Sequence, residues 1–400
     1  MSTATPTSTR TTTTSTPPEA APRRSVVDRF REALARFARL ACTTRAPYQA
    51  AIFRIGLAVA ISALLLREWP HRRVLFGDRS PLSHEMALEF GRLDGTFSVL
   101  HWSGGQVWFE IVYALTIASA LAVMVGWRTR TMSVLLMIGV LSLENRNPLV
   151  GDGGDNVMRI MVIYLVFTRC AQVWSLDARR AAPGERRKDP DDRTGVALWA
   201  ATGIFLLMAF GMDTGWPLFL WVLWGVQGLW YAVNRWFRET EGRALLDVGA
   251  SLLHNAAMLT IAGQICLIYA TSGWYKVQGP KWQEGSALHY ALNLEYFSPW
   301  PWLSAIVAAN TMLVLVLSYG TVMLQVAFPF TLGNRKVKNV LVAVMIGEHL
   351  GIAVLLGLPF FSLAMVACDA IFLPTAFLVA LGARCGRLPR PALTRRVAAA

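Results

Sequence analysis

The sequence predicts an all-α integral membrane protein, a polytopic bundle of about eight to ten transmembrane helices. Three observations carry that expectation. Of 400 residues, 54% are hydrophobic and only 16% are charged, against about 25% charged in a soluble domain. The mean hydropathy is +0.42. The apolar residues also gather in runs of roughly 18 or more, enough to cross a bilayer core about 30 Å thick. The net charge of +13 does not point to nucleic acid, because the basic residues lie in short segments between the apolar runs and form no nucleic-acid motif.

The elements follow in order. Residues 1–22 are rich in Ser, Thr and Pro, lack periodicity and read as a disordered tail rather than a signal peptide. Residues 23–47 form a basic amphipathic segment with Val26, Val27, Phe30, Leu34, Phe37 and Leu40 at helical spacing, suited to the cytoplasmic membrane surface. The transmembrane domain occupies 48–381, with spans expected near 48–66, 105–126, 131–144, 156–174, 195–212, 216–234, 247–273, 302–330, 337–357 and 360–381. Residues 382–400 remain as a basic cytoplasmic tail. Most of the 38 Lys and Arg residues lie on one alternate set of connections, which places both termini on the cytoplasmic side of a plasma membrane. Dropping the fifth and sixth helices as a pair leaves every other orientation unchanged. Cys42, Cys170, Cys266, Cys368 and Cys385 show no CxxC pairing, and three of them fall in apolar runs. They read as packing residues, not as a disulfide framework or a zinc site.

In this topology NRNPLVGDGGDN (145–156) and the segment after Gly273 emerge on the same outer side, so they can build one outward-facing site. The run YATSGWYKVQGPKWQEG (269–285) places Lys276 at the membrane edge beside Trp274, Tyr275 and Trp282. An amine that sheds solvation there is a usable base near neutral pH; the structural alternative is snorkelling to the outer headgroups. Asp155 and Arg159 are four residues apart at the outer start of the fourth helix, spaced for an ion pair with the acid toward the positive helix terminus. Gly151, Gly153 and Gly154, around Asp152, let the backbone turn sharply and leave N–H groups free to receive an anion or a polar headgroup. The EF-hand spacing is absent, and no metal is expected.

Polar residues within the spans add to this picture. Arg54 either snorkels to the inner headgroups or joins a buried ion pair. His254 and His349 lie in apolar helices at unmatched depths, which favours hydrogen-bonded core histidines over a bis-histidine haem. Glu348, beside His349, together with Glu110, Asn310 and Asp369, marks a polar interior suited to a reaction chamber or a proton path. There is no nucleophile elbow, HExxH, GxGxxG opening a βαβ unit, or P-loop, so triad hydrolysis and ATP-driven transport are unsupported.

Three runs in a fixed order carry a family resemblance: NRNPLVGDGGDNVMRIMVIYLVFTRCAQVWSLDARR (145–180), YATSGWYKVQGPKWQEG (269–285) and EHLGIAVLLGLPFFSLAM (348–365). Over roughly 48–381 the chain resembles the HTTM (horizontally transferred transmembrane) proteins, whose relatives include the vitamin K-dependent γ-glutamyl carboxylases. In those carboxylases a lysine in a G-x-x-K turn deprotonates vitamin K hydroquinone. Reaction with oxygen then yields a strong base that removes a glutamate γ-proton, and the carbanion captures CO2. Gly273, Trp274, Tyr275 and Lys276 match the turn, and Trp282, Glu284 and Gly285 match the W-x-x-G that follows. Trp174, Ser175, Leu176 and Asp177 match the family's W-S-x-D, which implies a structural role for Asp177.

The resemblance thus implies Lys276 as a base, a menaquinol or vitamin K-like quinone as cofactor, and quinol-dependent carboxylase- or oxygenase-like chemistry on a secreted peptide at the outer face. Arg146, Asn147 and Arg159 would orient oxygen atoms or a carboxylate, with Asp152, Asp155, Trp282, Glu284 and His349 completing the site. Two departures bear on this. Asn147 stands where the carboxylases carry the histidine of N-N-H, and an amide can orient an oxygen but cannot shuttle a proton. No sizeable domain to dock a propeptide is expected after the last helix. The rivals are a non-catalytic membrane component for maturation, export or immunity of a secreted peptide, and a transporter. Arg54, Glu110, His349 and Asp369 favour the transporter, although the inverted repeat usual for one is not evident.

Overall fold

A computed structural model describes residues 27–28, 30–32, 35, 42–180, 193–207, 215–237 and 240–384. The chain divides into two units, Met1–Ala41 and Cys42–Ala400. In the first, Val27, Asp28, Phe30, Arg31, Glu32 and Ala35 are helical and exposed. The expected tail at 1–22, most of the amphipathic pattern at 23–47, the connection 181–192, Cys385 and most of the basic tail lie outside the described residues.

The second unit is all helical, with no strand among the described residues. Its main helices are α1 (Pro47–Glu68), α2 (Gln106–Val125), α3 (Thr129–Arg146), α4 (Gly153–Val166), α5 (Arg193–Leu207), α6 (Trp216–Trp236), α7 (Glu241–Gln278), α8 (Thr311–Thr331), α9 (Arg335–Leu355), α10 (Pro359–Asp369) and α11 (Thr375–Arg384). Of these α1, α2, α6, α7, α8 and α9 are long and apolar enough to cross a membrane. The bent pair Pro359–Phe372 and Thr375–Arg384 makes a seventh crossing if the two form one span.

The expected spans differ from these helices for local reasons. The 18-residue α3 carries Arg130, Glu144 and Arg146. The 14 residues of α4 reach only about 21 Å at 1.5 Å per residue. Its end is sealed by the Thr168 hydroxyl, which donates to the Leu165 carbonyl at 2.8 Å. The run 302–330 is not one span: it breaks at Asn310, whose carboxamide accepts from Leu313 N at 3.0 Å and caps α8. Its first part is a separate helix, Pro301–Ala309. The run 360–381 turns by 115° at Pro374, where proline supplies no N–H to continue the helix.

Small residues let the core helices approach closely. A Cβ at Gly56 would lie 2.6 Å from Ala367 Cβ, and one at Gly139 would lie 2.2 Å from Thr116 Oγ1. The α1–α10 and α2–α3 contacts therefore exclude larger side chains. Tyr113 ties α2 to the end of α1 by donating to the Leu65 carbonyl at 2.7 Å.

Arg54 does not snorkel, and among the described residues it joins no ion pair. It is fully buried and donates to the carbonyls of Val123, Met124 (2.8 Å), Cys170 (3.3 Å) and Trp174 (2.7 Å). The physical reason is the carboxyl end of α2, whose last carbonyls have no intrahelical partner. Nearby, Asp177 accepts from Arg128 N (2.9 Å), Thr129 N (2.8 Å) and Thr129 Oγ1 (2.8 Å), so it caps α3. Trp174 adopts φ 52°, a left-handed conformation rare for a bulky side chain. That strained turn presents its carbonyl to Arg54. His254 is a fully bonded core residue: Nδ1 accepts from Arg169 N at 2.9 Å and Nε2 donates to the Arg45 carbonyl at 2.7 Å. Cys170 and Cys368 are buried free thiols.

Candidate functional site at the carboxyl end of α7

Tyr269, Ser272, Gly273 and Lys276 recur at helical spacing on one face of α7. Gly273 controls how closely α8 approaches that face, because a Cβ there would lie 2.7 Å from Val326 Cγ2 and 3.1 Å from Val326 N. The close approach brings in Gln325. Lys276 Nζ donates to Ser272 Oγ at 2.5 Å and to Gln325 Oε1 at 2.9 Å. The Ser272 hydroxyl also donates to Gln325 Oε1, at 3.0 Å. Gln325 Nε2 then donates to Glu348 Oε1 of α9 at 2.8 Å. Both lysine acceptors are therefore neutral, and the carboxylate is one amide away. The short helix Pro280–Gln283 returns Trp282 to the amine, with Nζ 5.3 Å from the ring centroid, a cation–π distance. Trp274 and Tyr275 are exposed on the same helix end.

A second polar group lies one residue along α9. His349 is 1% exposed, and its Nε2 is 2.9 Å from the Tyr269 hydroxyl. That hydroxyl is also 2.9 Å from both carboxylate oxygens of Asp369, which is fully buried in α10. Among the described residues, Glu348 Oε2 and His349 Nδ1 have no hydrogen-bond partner. Four helices thus meet in two polar groups joined through the Glu348–His349 step: Lys276, Ser272, Gln325 and Glu348, then His349, Tyr269 and Asp369.

Other residues expected at the site have different partners. Glu284 is exposed and faces Lys281 at 3.3 Å. Both terminal nitrogens of Arg146 donate to the Leu82 carbonyl at 3.1 Å. Asn147 Nδ2 donates to the Leu75 carbonyl at 2.7 Å. The two residues therefore hold the connection between α1 and α2. Asp152 and Asp155 form a capping box on α4: Asp152 Oδ1 accepts from Gly154 N (2.6 Å) and Asp155 N (3.1 Å), and Asp155 Oδ2 accepts from Asp152 N (2.7 Å). Two N–H groups expected to be free for an anion are thereby occupied.

The expected Asp155–Arg159 ion pair does not form. Asp155 turns back to the cap, and Arg159 Nη2 donates to Asn156 Oδ1 at 2.7 Å. Among the described residues no hydrogen bond or ion pair joins the 145–159 connection to the 273–285 turn. Phe361 lies between the connection and His349: it abuts Gly154, where a Cβ would be 2.8 Å from Phe361 Cα, and its ring centroid is 5.6 Å from that of His349.

Gln325, Ser272 and Tyr269 carry much of this geometry without having been singled out from the sequence. The signal for Gln325 is an amide within an otherwise apolar helix. For the other two it is the shared helical face with Lys276. Comparison with models of known protein families, with curated proteins and with solved structures finds no match to this chain.

Proposed function

We propose that the chain is a multi-pass plasma-membrane protein of the HTTM type, with cytoplasmic termini, in which Lys276 acts as a base on a membrane-soluble quinol. One observation supports this reading above the others: the Lys276 amine is held by two neutral acceptors, Ser272 and Gln325. Loss of its proton therefore leaves no directly paired carboxylate uncompensated, whereas breaking a buried salt bridge does. In the proposed step the neutral amine of Lys276 would accept a proton from the hydroxyl of a bound quinol and become an ammonium. The Ser272 hydroxyl, the Gln325 carbonyl oxygen and the Trp282 ring hold the ammonium. Exposed Trp274 and Tyr275 suit the lipid side of such a site. Quinol would supply electrons and oxygen would accept them. The 145–159 connection serves in this reading as scaffold.

The test is oxygen uptake by the purified full chain in lipid nanodiscs supplied with reduced menaquinone, together with analysis of its co-purified lipids. Arginine retains positive charge but stays protonated near pH 7. Lys276→Arg should abolish quinol-dependent oxygen uptake while leaving folding and any co-purified quinone intact. Full activity in the variant, or equal inertness of variant and wild type, overturns the base and leaves a non-catalytic component for maturation, export or immunity of a secreted peptide.

A further inference from the structure

The second polar group, Tyr269, His349 and Asp369, is not used by the proposed chemistry at Lys276. Asp369 is fully buried, and among the described residues its carboxyl group has one side-chain hydrogen-bond partner, the Tyr269 hydroxyl, and no cation partner. A bare carboxylate is strongly disfavoured in such an interior unless it is paired or protonated. Tyr269 Oη is equally close, 2.9 Å, to His349 Nε2.

One hydroxyl carries a single proton and can also accept, so two arrangements satisfy these distances. In the first, protonated Asp369 donates to Tyr269 Oη, Tyr269 donates to His349 Nε2, and Nδ1 carries the imidazole proton. In the second, Nε2–H donates to Tyr269 and Tyr269 donates to the Asp369 carboxylate. Moving one proton from Asp369 to Tyr269 and another from Tyr269 to His349 converts the acid and neutral imidazole into carboxylate and imidazolium. The number of protons on the three residues does not change. A net proton can then enter or leave at Nδ1, which has no partner among the described residues although the residue is buried.

The surroundings allow that exchange. The titratable groups acting on these three residues are Lys276 on α7, Glu348 on α9 and Cys368 on α10. From α8 come the neutral Gln325 and the ring of Phe328. Arg54 of α1 is occupied by carbonyls. We propose that Tyr269, His349 and Asp369 form a proton-binding site within the bundle, in which a hydroxyl bridge moves a proton between a buried carboxyl group and the bonded nitrogen of an imidazole, whose other nitrogen exchanges the net proton. The site stands whether or not Lys276 is a base.

Infrared difference spectroscopy between neutral and alkaline pH, on the full chain in lipid nanodiscs without quinol, tests the site directly. Wild type should show the C=O band of a protonated carboxyl group near neutral pH. Asp369→Asn should remove it, and Tyr269→Phe should move it to higher frequency by deleting its hydrogen-bond partner. Glu348→Gln should leave it in place, separating it from the neighbouring carboxyl group. Should Asp369→Asn fail to fold, 13C-aspartate labelling of wild type and Tyr269→Phe reads the same band. A wild-type spectrum with no aspartic-acid band near neutral pH, or a band that Tyr269→Phe leaves unmoved, overturns the proposal.

Discussion

The amino-terminal helices α1–α4 and the carboxyl-terminal helices α7–α10 both bury polar side chains, but they satisfy them differently. Within the apolar stretch of α1, 61% is buried, against 17% in α9. On α1, Arg54 finds its partners within the protein, four backbone carbonyls, whereas Gln49 Oε1 and Ser62 Oγ have none among the described residues. On α9 the consecutive residues Glu348 and His349 carry the polar groups that meet α7, α8 and α10. There Glu348 and His349 each keep an atom without a partner among the described residues. Buried polar atoms normally find partners, and each exception calls for an explanation. A buried charged group is thus architectural at Arg54, whereas the adjacent Glu348 and His349 are left chemically open.

The sharpest way to break that comparison is Arg54→Met. The change leaves up to four carbonyls without their donor, at about 1–3 kcal/mol for each buried group left unsatisfied. Together these rival the total stability of about 5–15 kcal/mol of an ordinary domain. The variant should accumulate poorly and unfold far below wild type in thermal scans in detergent. Arg54→Lys should recover only part, because an ammonium lacks the planar fork. A methionine variant as stable as wild type would remove the architectural half of the contrast.

One of several buried groups without a partner in the amino-terminal half sharpens it. His101, in the connection between α1 and α2, has an Nε2 without a partner among the described residues, and its ring fills the space where a Cβ at Gly91 would lie 2.4 Å from Cε1. Burial, and then the nearby His84 and Arg146, push its pKa down to about 4. The unfolded ring titrates near 6.5, so at intermediate pH the unfolded chain binds more protons than the folded one. Stability from the neutral ring is fully present above about pH 6.5 and is lost as pH falls toward about 4. Melting temperatures measured from about pH 7 to about 4.5 should fall more in wild type than in His101→Gln. Equal slopes would mean that His101 gains its proton freely in the folded state.

Much of the helical frame was legible in the sequence, because apolar length and charge punctuation are properties of single segments. The breaks were not. Asn310 and Pro374 lie inside runs that remain apolar by composition, and only the cap at Leu313 N and the 115° turn reveal them. At the candidate site Lys276, Trp282, Glu348, His349 and Asp369 were visible as costly or amphipathic residues near or within apolar spans. Gln325 and Tyr269, which connect them, depend on which helix faces which, and one sequence does not specify that. Arg54 and Arg159 show the same limit from the other side. Spacing offered each an acidic partner or a headgroup, whereas carbonyl oxygens of the backbone and of Asn156 were the groups within reach.

The smallest expected effects separate capping from ion pairing at α4. The spacing of Asp155 and Arg159 invites an ion pair, but the observed bonds divide the two residues between the capping box and Asn156. Asp152→Ala removes the acceptor for Gly154 N and Asp155 N, and loss of such a cap costs about 0.5–2 kcal/mol. Arg159→Met removes one exposed hydrogen bond, and a substitution of that kind usually stays within about 0.5 kcal/mol. With no direct bond between the residues, the losses in Asp155→Asn and Arg159→Met should add within about 0.5 kcal/mol in the double variant. Unfolding midpoints of the single and double variants measure that sum. A double variant markedly more stable than the sum predicts would reveal coupling between Asp155 and Arg159, and the capping box would no longer account for where that carboxylate is held.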